Sequence, residues 1–149
     1  MSSLYLEDIA VGQSWETKPH TVSREDISKF AALTHDHHPL HTVDAAGERA
    51  GYGGIIAHGL FSLALMEGLK FDLKLFPDTA LASLGWDKVR FLKPVRPGDR
   101  VKVRATITEA RPSKKPDRGV FVEKVELINQ QGEVVSDGDH AVLLQRRPR

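Results

Sequence analysis

The sequence predicts an α+β domain in which one curved antiparallel sheet wraps a buried central helix. Three observations carry this expectation. The stretch from Gly59 to about Leu69 reads as a helix that is apolar nearly all round, because Leu60, Phe61, Leu63, Ala64, Leu65 and Met66 point in almost every direction. A helix of that kind is enclosed by protein. After it, turn signals divide the chain into four strand-like stretches in series. Before it stands a single striped helix with an N-terminal cap. A length of 149 residues suits one domain, 1–149, with one sizeable core.

The elements follow in order. Gln13 to Val22 reads weakly as a strand, and Pro19 favours an edge position. Ser23 then caps a helix. Ser23-Arg24-Glu25-Asp26 has the spacing of a capping box, although Asp26 stands where Glu or Gln is preferred. Ile27, Phe30, Ala31 and Thr34 form one stripe, so the helix runs to about Leu33 or Thr34. It cannot pass Pro39, which lacks an amide donor and pushes its predecessor out of the helical region. His35 to His41 is therefore expected as a loop. Asp44 to Arg49 can form a helical turn, which Gly51, Gly53 and Gly54 break. The buried helix follows.

Beyond it, Leu81 to Val95 holds Val89 and Phe91, and Pro97-Gly98-Asp99 is a turn. Val101, Val103, Ala105 and Ile107 alternate with polar residues as a half-buried strand does. Arg111 to Gly119 is a basic loop. Val120, Val122, Val125 and Leu127 share the next strand, their odd spacing indicating a bulge or a change of face. Val134 to Gln145 is the last strand, with Gly138 as a candidate bulge. A lone sheet around one helix leaves an open face and an edge, so pairing with a second copy into a homodimer or higher homo-oligomer is expected.

Composition narrows the function. Net charge is +1 with acids and bases interleaved, which gives no electrostatic reason for nucleic acid or an anionic membrane as partner. The absence of cysteine removes disulfides, thiolate nucleophiles and Cys-ligated zinc, and fits a cytoplasmic setting. Residues 1–8 lack a basic region followed by an apolar run, so no secretory leader is read.

The strongest local anomaly is histidine. The chain has seven, and His35, His37, His38 and His41 crowd around Asp36. Asp36 and His41 on one rigid loop supply a carboxylate and an imidazole for acid–base work. Gly59 opens the buried helix, where first-turn amides lack intrahelical partners and the dipole favours negative charge. That amide can stabilise a developing oxyanion, and glycine leaves the approach open. A metal is the competing reading of the cluster. Its spacing matches no standard zinc pattern, and adjacent residues on a short loop rarely converge, so no metal is assigned. His58 reads as structural. His20 and His140 have no visible company and read as ordinary. Arg90, Lys93, Arg96 and Arg100 are either a phosphate-steering patch or a solvated rim.

Three segments carry a family resemblance. Phe30-Ala31-Ala32-Leu33-Thr34-His35-Asp36-His37-His38-Pro39-Leu40-His41 resembles the hydratase motif of the MaoC-like family, the (R)-specific enoyl-CoA hydratases. Gly54-Ile55-Ile56-Ala57-His58-Gly59-Leu60 resembles the segment that opens that family's central helix. Val89 to Asp99 resembles its later Phe-x-x-Pro-Val-x-x-Gly-Asp strand and turn. The resemblance implies a hot-dog fold, a dimer, and an acyl-CoA or acyl-carrier thioester substrate. It implies reversible syn addition of water to a trans-2-enoyl thioester, giving the (R)-3-hydroxyacyl product, with no cofactor. It makes Asp36 and His41 the catalytic dyad and Gly59 the oxyanion-hole donor. Two positions depart from the pattern. His38 stands where the motif has Asn and is expected to reshape the site. Glu67 stands where some relatives carry a helix serine. A hot-dog thioesterase and a non-catalytic acyl-CoA-binding module are the alternatives.

Overall fold

The structure, a computed structural model, describes residues 2–149. Six strands form one antiparallel sheet. β1 (Ser14–Glu16) and β2 (His20–Thr21) both pair with β4 (Arg100–Pro112). The sheet then continues through β5 (Arg118–Ile128) and β6 (Val134–Gln145) to β3 (Ala80–Phe91) at its far end. Four helices are inserted between β2 and β3: α1 (Arg24–Thr34), α2 (Pro39–Thr42), α3 (Asp44–Arg49) and α4 (Gly59–Lys70). The α4 helix lies in the curve of the sheet, which is the expected hot-dog arrangement. Its Phe61 and Met66 pack with Val101, Val103, Val125, Leu127 and Val135 in the main core.

The alternation in β4 is realised residue for residue. Val101, Val103, Ala105 and Ile107 are all buried, and the residues between them are not. Burying one such valine contributes roughly 1.5–3 kcal/mol, so this face fixes the register. The odd spacing in β5 proves to be a change of face. Phe121, Glu123, Val125 and Leu127 are buried in alternation, and Glu123 occupies an inward place among hydrocarbons. The bulge itself lies across the ladder in β4, where the register slips between Ile107 and Glu109. Gly138 is likewise not a bulge. The slip is in the facing β3, between Asp87 and Arg90, and a Cβ on Gly138 would press within 3.1 Å of the Trp86 ring and Val89.

Other expectations change in detail. Residues 13–22 split into two short strands around Thr17-Lys18-Pro19, since proline cannot continue the ladder. The basic loop shrinks to 113–117, because both flanking strands extend into it. α4 is less enclosed than its composition implies: Leu60 is 63% exposed, and Phe91 and Leu92 are exposed as well. Leu81 and Leu84 of the end strand β3 are also exposed. Among the described residues, no helix is long and apolar enough to cross a membrane.

Candidate active site

Two helix boundaries build the site. Ser23 caps α1 with a complete box: its hydroxyl accepts from the Asp26 amide at 2.9 Å, and the Asp26 carboxylate accepts from the Ser23 amide at 3.2 Å. At the other end His35 turns left-handed, with φ 66°, and directs the chain into the segment that carries Asp36. The expected loop is shorter than His35–His41. Pro39 does more than end α1. It starts α2 at the first helical position, where a missing N–H costs nothing and φ is already set.

His38 caps that short helix. Its Nδ1 accepts the Leu40 amide at 3.1 Å, while its own amide donates to Asp36 Oδ1 at 3.2 Å. Asn is a preferred residue for the first of these tasks. The imidazole at position 38 performs the same capping bond, so the departure from the family pattern preserves the local backbone.

His41 lies on α2, half-buried, and donates from Nδ1 to the Ile56 carbonyl at 2.8 Å. A carbonyl can only accept, so the proton sits on Nδ1 and Nε2 carries a free lone pair. Burial pushes the His41 pKa down, with help from the neighbouring His58 and His38. The bond to Ile56 and the Asp36 charge oppose the shift without cancelling it. The ring is therefore held neutral, the form that accepts a proton.

Residues 55–57 bind this loop to the central helix. Ile56 donates to the Leu40 carbonyl at 3.0 Å, and Ala57 donates to Val95 at 2.7 Å. Asp44, gripped by Arg24 through two 2.6 Å bonds, also accepts from the Ile55 amide. Gly47 is required here because a Cβ would fall 1.7 Å from the Gly54 carbonyl oxygen. The strap ends at His58, the residue before α4. His58 is buried, stacks on His41 with ring centres 3.8 Å apart, and donates from Nε2 to the Asp36 carbonyl at 2.9 Å. Its Nδ1 is buried with no partner among the described residues.

Asp36, His41 and His58 thus bring one ligand-capable atom each to within 4.8 Å of one another. This is not the histidine set that the sequence offered for a metal, since His35, His37 and His38 take no part and His58 joins instead. Two of the three predicted polar site residues, Asp36 and His41, meet. His38 stands one ring away, 6.0 Å from His41 between centres. Gly59 follows His58 as the first residue of α4, and its amide takes no side-chain cap. The glycine has a reason that the sequence did not display. The Phe91 ring lies against it, and a Cβ at position 59 would approach that ring to 2.5 Å.

The MaoC-like domain model matches residues 8–129, which includes α1–α4 and the strands through β5. The chain belongs to the MaoC-like domain family. It is 35% identical over 102 residues to the Protein MaoC of Klebsiella aerogenes, covering 68% of this chain but only 30% of that longer protein. It is 30% identical over 143 residues to the (R)-specific enoyl-CoA hydratase of Rhodospirillum rubrum, covering 96% of this MaoC-like chain and 93% of that one. The crystal structure of a MaoC-like dehydratase from Rhodospirillum rubrum superposes with a TM-score of 0.86 at 30% identity, over 99% of this chain and all of that one.

Histidine spacing did not reveal a second polar cluster, at the far end of α4. There Lys70 is ion-paired with the buried Glu123, and His140 Nδ1 lies 2.9 Å from the same carboxylate. Burial alone would raise the Glu123 pKa, but hydrogen bonds and charge from His140 and Lys70 hold it below the usual carboxylate range. His140 is thus not an ordinary surface histidine, and it also stacks on Trp86 at 4.5 Å. His20 is paired too, with Asp26 at 3.2 Å. The alternation Phe121-x-Glu123-x-Val125-x-Leu127 was the available signal for the buried acid. The basic rim is partly spent: Arg90 pairs with Asp137 at 3.2 Å, and Lys93 with Glu133.

Proposed function

We propose that this MaoC-like protein is a hydratase/dehydratase that adds water reversibly to a trans-2-enoyl thioester of coenzyme A or an acyl carrier, giving the (R)-3-hydroxyacyl thioester. The observation that carries this reading is the approach of the Asp36 carboxylate and the His41 ring, with His41 Nε2 unengaged and held neutral, next to the helix start at Gly59. A water between the two accepts orientation from Asp36 and loses a proton to His41 Nε2 as its oxygen bonds the β-carbon. The π electrons move toward the thioester oxygen, where the Gly59 N–H stabilises the enolate charge. The α-carbon then takes the proton from the same side, which completes a syn addition. The reverse sequence expels water. No cofactor enters these steps. Similarity to the (R)-specific enoyl-CoA hydratase of Rhodospirillum rubrum supports the assignment.

The protein is further proposed to act as a cytoplasmic homodimer joined along β3. That strand ends the sheet, and its Leu81, Leu84 and Phe91 are exposed together with Leu92 beyond it. An open edge of this kind favours pairing with a copy of itself. Sedimentation at micromolar concentration should give twice the chain mass, and a monomer would remove this part of the proposal.

The deciding experiment supplies purified protein with a short trans-2-enoyl-CoA. Loss of the conjugated absorbance, with an (R)-3-hydroxyacyl-CoA as product, is expected. Release of free thiol to a thiol-reactive dye would instead identify a thioesterase. Thermal stabilisation without turnover at any chain length would identify a binding module.

A further inference from the structure

At the far end of α4 a cavity of about 510 Å³ opens between the helix, the turn after it and the start of β3. Most of its wall is hydrocarbon, from residues such as Leu75, Phe76, Phe121 and Val142. Ser83, Glu123 and His140 line it too, and they form a chain of contacts. Ser83 Oγ lies 2.6 Å from His140 Nε2, and His140 Nδ1 lies 2.9 Å from Glu123 Oε2.

The donors can be assigned along this chain. A charged carboxylate only accepts, so in the neutral ring the proton sits on Nδ1 and is donated to Glu123. Nε2 is then a lone pair, and the Ser83 hydroxyl donates to it. Lys70, 3.2 Å from Nδ1, has no acceptor there and pairs with Glu123 instead. Stacking on Trp86, with ring centres 4.5 Å apart, holds the plane of the imidazole. Burial follows the same order. Glu123 and His140 are buried, whereas Ser83 is exposed at the cavity. A hydroxyl on an imidazole whose other nitrogen is fixed by a buried carboxylate is the arrangement that activates a serine as a nucleophile. Pairing along the β3 edge uses backbone groups in the plane of the sheet. The Ser83 side chain stands off the face toward His140, so an edge-paired dimer does not consume it.

We propose that Ser83, His140 and Glu123 form a second catalytic centre, which hydrolyses neutral carboxylic esters with an apolar acyl group. Ser83 Oγ bonds the carbonyl carbon as His140 Nε2 takes its proton. The bond from that carbon to the alkoxy oxygen then breaks, and the alcohol leaves with the proton from Nε2. Water attacks the acyl-Ser83 ester, again through His140, and frees the carboxylic acid and the serine. Glu123 is a positioning residue that sets the tautomer. The register slips between Ser83 and Gly85, which takes Leu84 out of the pairing. Its amide, directly after the nucleophile, is the candidate donor to the oxyanion. Glu67 and Glu123 outnumber Lys70 on the polar side, so an anionic carrier would meet like charge and a neutral ester would not. No step involves Asp36 or His41.

A fluorophosphonate and p-nitrophenyl butyrate test this on the full-length protein. Mass spectrometry should show one phosphonyl group per chain, mapped to Ser83, and the ester should release p-nitrophenol. Ser83→Ala should lose both the adduct and the ester hydrolysis, and should hydrate a short enoyl-CoA at the wild-type rate. His140→Gln should slow labelling by about 10²–10⁴. If that variant does not fold, Ser83→Cys takes its place. The chain has no cysteine of its own, so iodoacetamide reads that position alone. It should react there several-fold faster than with the thiol of a short peptide of the same sequence. No adduct, an adduct at another residue, or ester hydrolysis retained by Ser83→Ala overturns the proposal. So does labelling at an equal rate without the imidazole, or a thiol no faster than the peptide's. Ester hydrolysis lost in Ser83→Ala from a protein that hydrates no enoyl-CoA would uphold this centre and remove the hydratase reading.

Discussion

The two ends of α4 each set a histidine near a carboxylate, and they are built in opposite ways. At the C-terminal end His140 and Glu123 are both nearly inaccessible, and the Glu123 carboxylate is paired with both Lys70 and His140. At the N-terminal end Asp36 is exposed, His41 is half-buried with Nε2 unengaged, and His58 keeps a buried nitrogen unpaired. A polar cluster whose buried members pair with one another holds a shape. An unsaturated one retains lone pairs for a reacting molecule. Burial acts on both. At Glu123 the partners outweigh it and the charged form persists, whereas at His41 it prevails and the neutral form persists.

The largest effect should come from breaking the open end. Asp36→Asn and His41→Ala should each lower kcat/KM by about 10²–10⁴, the usual contribution of a positioned acid or base. Both positions are at least partly exposed, so melting temperatures should change little. Retention of wild-type turnover by either folded variant would show that the open end is not the catalytic one.

Breaking the closed end should move stability instead. Glu123→Ala leaves the Lys70 charge without its buried partner, which costs roughly 3–5 kcal/mol. Chemical denaturation would read this directly as a lower midpoint with unchanged slope. Turnover of a short enoyl-CoA by the protein that remains folded should be near normal. A loss of chemistry larger than the loss of folded protein would break the division between the two ends.

The division was only half legible in the sequence. Most of the frame was readable because period and punctuation are local: Ser23 and Asp26 mark the start of α1, and the Val101–Ile107 alternation marks a half-buried strand. Asp36, His38, His41 and Gly59 were readable because they are close in sequence or lie at a helix start. The closed end was not, because Lys70, Glu123 and His140 come from three distant elements and meet only when β5 and β6 pair. Phe91 over Gly59 was hidden for the same reason. Register, not composition, brings these residues together.

That contact gives a third test. Replacing a helix glycine by alanine ordinarily gains up to about 1 kcal/mol. Gly59→Ala should instead lose about 1–3 kcal/mol, since the new Cβ must displace the Phe91 ring. Adding Phe91→Ala should recover the loss, giving a non-additive cycle in thermal melts. Additive effects would mean that the ring does not set the residue at position 59.

The pH response should separate the ends more finely. Because burial lowers the His41 pKa in the fold, the unfolded chain binds a proton there first as pH falls. The neutral ring's contribution is then fully present above about pH 6.5 and is lost as pH falls through the lower folded value. The acid limb of kcat/KM should accordingly lie below the ordinary imidazole range. A limb at or above about 6.5 would contradict the assignment of His41 as the neutral acceptor.

The smallest effect belongs to His38, and it sharpens what the open end requires. Its ring caps α2 through Leu40 and touches neither Asp36 nor His41 by hydrogen bond from its side chain. If capping is its task, His38→Asn should leave stability within a few tenths of a kcal/mol, because the amide oxygen can accept the same N–H. His38→Ala should cost about 1 kcal/mol and loosen the turn that carries His41. Turnover in the alanine variant should fall several-fold while the asparagine variant keeps the wild-type rate. Should asparagine lower activity as much as alanine, the imidazole would be acting on the substrate, and the open end would hold three working side chains instead of two.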